Sequence, residues 1–230
     1  MTTLDSKQFQ FLIILLWNVW NRRNRWVHQN QLLPTKMVAE YAQLLAGEYQ
    51  AANDQRSQVE QVTSATQRWS KPEEGVVKIN VDGAWVQERR LAAIGVVVRD
   101  HHGMVIDARA SKVEGSHTAE TVEACAFAEG AKLAKENGYQ RFQLEGDAAA
   151  IVAKLNAHTL DRSVAASYLQ EAWQTLKACP GSVVQHIGRN CNRVAHTLAH
   201  WQINALESFN FDYVLPTEVM DIVLDDAIYS

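Results

Sequence analysis

The spacing of apolar residues changes character near residue 70. Before that point, apolar side chains recur at helical intervals over Phe9–Trp20, and Pro34 is well placed to begin a second helical stretch. The segment that follows is polar, rich in Gln, Ser and Thr, and shows little periodicity. The pattern therefore predicts a helical N-terminal extension over residues 1–52 and a linker over residues 53–70.

Beyond residue 70, short β-branched runs alternate with turn signals. The first run, Val76–Val81, is predicted to end at Asp82-Gly83, and two hairpin-linked strands follow it. A long helix over Ala119–Glu136 precedes further strands and helices. The predicted order, βββαβα(α)βα, describes an α/β fold with a mixed five-stranded sheet flanked by helices. This domain covers residues 71–205 and leaves residues 206–230 as a C-terminal tail with a short helix.

Composition indicates the cellular compartment of the protein more than its chemistry. Three cysteines without close pairing indicate reduced thiols. The apolar run Phe9–Trp17 follows no basic segment, precedes no cleavage site of small residues and is too short to span a membrane. We therefore expect an intracellular protein, in the nucleus or cytoplasm, that is not secreted and has no membrane partner. The formal net charge of −4 does not predict nucleic-acid binding through bulk charge.

Three carboxylates are predicted to lie at the ends of secondary-structure elements. Asp82 follows the first strand, Glu120 lies in the first turn of the long helix, and Asp147 follows the fourth strand. Hard oxygen ligands from separate elements suit Mg²⁺, which takes water and phosphate oxygens as its remaining ligands. Two such ions about 4 Å apart can activate a water and stabilise the leaving oxygen of a phosphodiester. The alternative is that all three are surface acids in turns, and spacing alone does not decide between the two interpretations.

Five short motifs, taken in order, resemble the ribonuclease H superfamily. They are Asn80-Val81-Asp82-Gly83-Ala84, Arg99-Asp100-His101-His102-Gly103, Ala119-Glu120-Thr121-Val122-Glu123-Ala124, Leu144-Glu145-Gly146-Asp147 and Asn192-Arg193-Val194-Ala195-His196. Residues 69–205 look most like the plant ribonuclease H-like domain found at the C-terminus of non-LTR retroelement reverse transcriptases and in stand-alone relatives. The resemblance implies a retrotransposon-derived ribonuclease H-like fold and hydrolysis of the RNA strand of RNA–DNA hybrids.

The resemblance also implies roles for individual residues. The metal ligands are Asp82, Glu120 and Asp147, with Mg²⁺ as the ion and Mn²⁺ as a substitute, and Glu123 is interpreted as a solvated or supporting acid. The family's fourth acid falls on His196, and because imidazole is a poor ligand for Mg²⁺ we expect reduced activity. His186 matches a loop histidine that shuttles protons or helps to release product, although a strand-end histidine bonded to the backbone is an equal alternative.

Other polar residues near the presumed site carry weaker signals. His196 and His200 share one helical face near Cys191, but no further cysteine or histidine at suitable spacing supports a zinc site. The candidates for contact with a nucleic-acid backbone are Arg89, Arg90, Arg189, Asn192 and Arg193. For Arg89 and Arg90, a solvated charge pair at a hairpin tip is the common alternative, and the others could instead cap the last helix.

Two functions remain open from the sequence. The first is a metal-dependent hybrid nuclease, a monomer with an RNA–DNA hybrid as its partner. The second is a catalytically weakened domain that binds nucleic acid or a protein. Two features favour the second: His196, and the absence of glycine from Trp85–Leu91, where many ribonucleases H carry a glycine-rich loop. The N-terminal helices favour it mildly, since they could form an interface with a protein partner or merely pack on the domain.

Overall fold

The structure is a computed structural model that describes residues 68–115, 118–158, 163–211 and 215–229, with seven residues near the N-terminus. Those seven, Phe11, Leu12, Leu15, Leu16, Val19, Arg22 and Arg23, are helical, as the sequence predicts for the first part of the extension. The second predicted helix and most of the linker lie outside the described residues. Contacts divide the chain into two compact units, Met1–Thr66 and Gln67–Ser230. None of the described helices is both long and apolar enough to cross a bilayer.

The second unit has the predicted α/β order, with one strand more than predicted. Its elements are β1 Val77–Val86, β2 Leu91–Arg99, β3 Val105–Lys112, α1 Ala119–Glu136, β4 Phe142–Gly146, α2 Ala149–Ala157, α3 Val164–Ala178, β5 Val183–His186, α4 Arg193–Asn204, β6 Phe209–Asn210 and α5 Thr217–Tyr229. The described sheet therefore has six strands where five were predicted. The additional strand, β6, is only two residues long and pairs antiparallel with β3.

The sheet is mixed and places β1 at its centre. The strand order is β5-β4-β1-β2-β3-β6, in which β1, β2 and β3 run antiparallel and β4 and β5 are parallel to β1. Helix α1 contacts β1 and α3, whereas α4 contacts β1, β2 and α5. Helices thus cover both faces of the sheet, and both faces of β1 are buried along most of its length.

The turn-like dipeptide Asp82-Gly83 predicted the end of strand β1, but the strand does not end there. It continues to Val86, which pairs with Leu91, and the chain reverses in a single 3-10 turn over Gln87–Arg89. Gly83 is needed inside the strand because helix α1 passes close to it: a Cβ there would lie 2.8 Å from the backbone nitrogen of Glu123. Asp82 therefore lies within the central strand of the sheet and not in a turn.

One face of β1 buries polar side chains in an ion-pair network. Lys78 Nζ lies 3.1 Å from Glu145 Oε1, and Asn80 donates to Glu145 Oε2 at 3.0 Å. Arg99, which is fully buried, donates to Asp226 Oδ2 at 2.7 Å. Because Asp226 belongs to α5, the helix of the C-terminal segment packs against this network.

Candidate metal centre

Three acids from different elements converge beside the centre of the sheet. Asp82 lies in β1, Glu123 in α1 and Asp147 directly after β4, and one carboxylate oxygen of each lies within 4.8 Å of the others. The Gly83 backbone N–H donates to Glu123, whereas the buried Oε2 of Glu123 has no hydrogen-bond partner among the described residues. Buried carboxylate oxygens are seldom left unpartnered, so this arrangement fits a divalent cation that the three acids would hold together.

Glu123 takes the position that the sequence prediction gave to Glu120. Helix α1 begins at Ala119, capped by Thr118, so that Glu120 lies in its first turn, half exposed and paired with Lys154. Glu123 lies one turn further along, where α1 passes over Gly83. The sequence carried a signal for this position in Gly130, whose Cβ would lie 2.6 Å from Val81 Cγ1. Seven residues are nearly two helical turns, so Glu123 lies on the same sheet-facing side as Gly130, whereas Glu120 does not.

Burial and mutual repulsion make two of these acids resist ionisation. Burial, followed by the charges of Asp82 and Asp147, raises the pKa of Glu123 to about 8. Burial also raises the pKa of Asp82 to about 6; the hydrogen bond from His196 opposes this shift and Asp147 adds to it. A divalent cation beside these carboxylates would offset both the burial and the repulsion that raise their pKa values, so the electrostatics of the cluster also fit a metal centre.

The raised pKa of Glu123 predicts how Glu123→Gln changes stability with pH when a chelator is present. A carboxyl whose folded pKa exceeds its unfolded value stabilises the fold at low pH, and this contribution is lost as pH rises through the folded pKa. Between pH 4.5 and pH 8 the variant should therefore gain about 2–4 kcal/mol in unfolding free energy relative to the unmodified protein. Urea titrations in EDTA at pH 5 and pH 8 give the difference in unfolding free energy between the variant and the unmodified protein. The same difference at both pH values would contradict the prediction.

Two histidines of α4 also lie beside Asp82. His196 Nδ1 lies 3.0 Å from Asp82 Oδ2, and the His196 and His200 rings lie 4.3 Å apart between centroids. The hydrogen bond to Asp82 raises the pKa of His196, although burial opposes the shift. Burial and the nearby His196 lower the pKa of His200. His196, at the predicted fourth ligand position, is therefore adjacent to Asp82. The structure also places His200, which was not a predicted ligand, beside these two residues.

The predicted nucleic-acid contacts fall into two groups. Arg89 and Arg90 are exposed at the β1–β2 turn, and Arg189 is exposed beside the acids, with its Nε 3.2 Å from Asp147 Oδ2. Asn192 and Arg193 are instead engaged inside the domain. Asn192 is buried and donates to the backbone oxygen of Val81, while Arg193 pairs with Asp225 and Asp226 of α5. Asn192 also lies 3.5 Å from Asp147 Oδ1, and contact of these two residues with a nucleic acid stays a prediction.

His186 is the last residue of β5 and pairs with Gly146, the residue before Asp147. Its side chain is exposed and lines an open polar cleft with Lys78, Glu145 and Trp69. The structure therefore places His186 near the strand end that carries Asp147, but does not group it with the three acids.

Comparison with solved structures identifies the fold. The chain resembles RNase H1 from the halophilic archaeon Halobacterium salinarum, with 21% identity and a TM-score of 0.52 over 56% of this chain and 98% of that one. It also resembles the N-terminal RNase H domain of a Mycobacterium tuberculosis protein, with 18% identity and a TM-score of 0.52 over 56% and 94%. LC11-RNase H1, isolated from compost and solved with an RNA/DNA hybrid, has 19% identity and a TM-score of 0.50 over 56% and 96%. These similarities establish a ribonuclease H-like fold.

A match to a protein-family model assigns the chain more specifically than the fold similarity does. The model of the reverse transcriptase-like family matches residues 80–202, more than half of the chain. The chain belongs to the reverse transcriptase-like family. The match spans β1 to α4 and so includes all three acids and both histidines of the centre. A comparison with curated proteins found no match.

Proposed function

We propose that this chain is a magnesium-dependent nuclease of the ribonuclease H type, which hydrolyses the RNA strand of RNA–DNA hybrids. The observation that carries the proposal is the convergence of Asp82, Glu123 and Asp147 around an unpartnered, buried carboxylate oxygen. The hybrid in the LC11-RNase H1 structure supports the choice of substrate class, because that protein shares the fold. The retroelement origin and the intracellular location remain predictions from the sequence.

The three acids would bind the ion from three separate elements. Asp82 approaches it from the central strand, Glu123 from helix α1 and Asp147 from the end of β4. A magnesium ion held by these residues would supply an activated water and neutralise the charge that develops on the scissile phosphate. Because each ligand stands on or beside a rigid element, little rearrangement is needed when the ion binds, and the position of the reacting phosphate is well defined.

Arg189 is suited to change partners when substrate binds. Its side chain is 72% exposed and pairs with Asp147, whose own side chain is only 12% exposed. An exposed ion pair of this kind contributes little stability, about 0–1 kcal/mol, so releasing it costs little. We propose that Arg189 leaves Asp147 when the cation binds and donates to a phosphate of the hybrid, since its planar guanidinium matches phosphate geometry.

Arg89 places the exposed β1–β2 turn, which also carries Arg90, beside the end of helix α4. Arg89 donates to Asn204, which lies eight residues beyond His196 and therefore about 12 Å further along the helix. That distance is within the length of a short duplex crossing the metal centre. We propose that the β1–β2 turn contacts backbone phosphates there, which would position the hybrid without reading its sequence.

A second candidate function is binding without catalysis. The observation that favours it is the hydrogen bond between His196 and Asp82, because this contact engages a carboxylate oxygen that a cation would also need. In that case the domain would hold a hybrid through its basic side chains and leave the phosphodiester intact. The predicted use of the N-terminal helices as a protein interface belongs with this second candidate.

Cleavage of a labelled hybrid by the purified full chain distinguishes the two functions. With Mg²⁺ or Mn²⁺, we expect loss of the RNA strand and products with 3′-hydroxyl and 5′-phosphate ends, while the DNA strand stays intact. Cleavage should disappear in EDTA and in Asp82→Asn. If the folded protein binds the hybrid but does not cut it with either metal, and His196→Asp does not restore cutting, the binding function is the correct one.

A further inference from the structure

We propose that Asp82, His196 and His200 form a second cation site, of mixed nitrogen and oxygen ligands, that takes a divalent transition-metal ion in preference to Mg²⁺. One ligand atom from each of the three residues lies within 4.8 Å of the others. Ligands that share a tetrahedral ion at about 2.1 Å are about 3.4 Å apart, so small side-chain rotations are enough to complete the site. The site rests on the proposed function in two respects: it shares Asp82 with the acid cluster, and His196 takes the position of the family's fourth acid.

The backbone holds these three ligands in place. His196 and His200 are four residues apart on α4, a spacing that directs two histidines to the same ion. Gly95, the residue opposite Asp82 in β2, allows α4 to lie directly on the sheet, since a Cβ there would be 2.6 Å from the backbone oxygen of Ala195. The two histidines and Asp82 are thus carried by a helix and a strand in direct contact, and not by loops.

The surroundings leave the site open on one side. Asp82 is buried, His196 is partly buried and His200 is exposed, so water or substrate can reach the outer coordination positions. No hydrogen bond to the His200 ring comes from the part of the chain that the structure describes. His200 is therefore available to a ligand, and its neighbour His196 already contacts the shared carboxylate.

Ligand chemistry separates this site from the acid cluster. Imidazole nitrogen binds Mn²⁺, Co²⁺ and Zn²⁺, whereas Mg²⁺ prefers oxygen ligands. The acid cluster offers oxygen alone, while the histidine site offers two nitrogens and one oxygen. Asp82 belongs to both groups and has two oxygens, so it can contact an ion on each side. The structure therefore favours two unequal sites, with Mg²⁺ on the acids and a transition-metal ion on the histidines.

Co²⁺ binding to the full chain tests the proposal without measuring cleavage. Chelator-treated protein is titrated with Co²⁺, and the visible absorption of the ion reports nitrogen ligands and a coordination number below six. We expect His200→Ala to weaken Co²⁺ binding by at least about 10-fold and to remove this absorption. His102→Ala, which changes an exposed histidine in a turn, is the matched control and should bind Co²⁺ as the unmodified protein does.

Mg²⁺ binding, measured in parallel by calorimetry, separates this site from the acid cluster. His200→Ala should keep its Mg²⁺ affinity and Glu123→Gln should lose it, while Glu123→Gln retains the Co²⁺ absorption. Unchanged Co²⁺ binding in His200→Ala, or loss of the absorption only in Glu123→Gln, would overturn the proposal. Failure of the proposed nuclease function would appear separately, as a hybrid that stays uncut although both ions bind.

Discussion

Replacing Glu123 by Gln is expected to reduce cleavage of the hybrid by more than about 100-fold, because even residues that only orient a metal ligand are worth about 10- to 100-fold. Glutamine keeps the size of the side chain and removes the charge that would hold the cation. The change acts at the acid whose buried Oε2 has no hydrogen-bond partner in the described structure. The measurement is the single-turnover rate of RNA-strand cleavage, taken over a range of Mg²⁺ concentrations.

Glu120→Gln is the matched control, one helical turn away. Glu120 is half exposed and pairs only with Lys154 among the described acids and bases. Losing an exposed pair changes stability by about 1 kcal/mol or less, so the cleavage rate should stay within a few-fold of the unmodified protein. A large loss in Glu120→Gln with normal activity in Glu123→Gln would restore the original sequence prediction and refute the structural assignment.

The largest effect on stability is expected from Asp226→Asn, which should cost about 3–5 kcal/mol of unfolding free energy. Asp226 accepts from Arg99, a residue with no exposed surface, and Arg99 also lies against the Trp69 ring at 3.4 Å from its centroid. Removing the carboxylate charge deprives the buried guanidinium of its hydrogen-bonded ionic partner and also removes one of the two carboxylates that pair with Arg193. Urea unfolding followed by circular dichroism at neutral pH measures the loss.

The neighbouring acid provides the comparison. Asp225 pairs with Arg193 at the domain surface and its side chain is 20% exposed, so Asp225→Asn should cost about 1 kcal/mol or less. Combining Arg99→Met with Asp226→Leu should recover much of the loss, because an apolar pair needs no desolvation of charge. An equal loss of unfolding free energy in Asp225→Asn and Asp226→Asn would show that the buried ion pair of Arg99 contributes no more to stability than an exposed pair does.

Most of the fold was predictable because it depends on local patterns. Short β-branched runs and the long stretch of small and apolar residues over Ala119–Glu136 are visible in the sequence, and the predicted helix bounds are those observed. The resemblance in motif order supplied the topology. The sixth strand was missed because two residues carry no periodic signal, and β6 exists only where it meets β3.

The buried polar network could not be predicted from the same patterns. Lys78, Asn80 and Asp82 alternate with apolar residues along β1, a pattern that is typical of a strand with one solvated face. In the structure that face is covered as well. Lys78 pairs with Glu145, Asn80 accepts from Arg99, and Arg99 in turn pairs with Asp226 of α5. Burial of a charged side chain depends on partners distant in sequence, so composition and spacing contain no record of it.

By itself, the sequence determined the α/β class, the order of elements and the presence of acids on β1, on α1 and after β4. The tertiary structure alone decided which acid of α1 lies beside Asp82 and Asp147, because Glu120 and Glu123 differ by about 4.5 Å along the helix axis and only Glu123 lies where α1 approaches Gly83. It also decided that His200 stands beside Asp82. Local sequence fixes the conformation of each element, whereas packing between elements fixes which side chains meet.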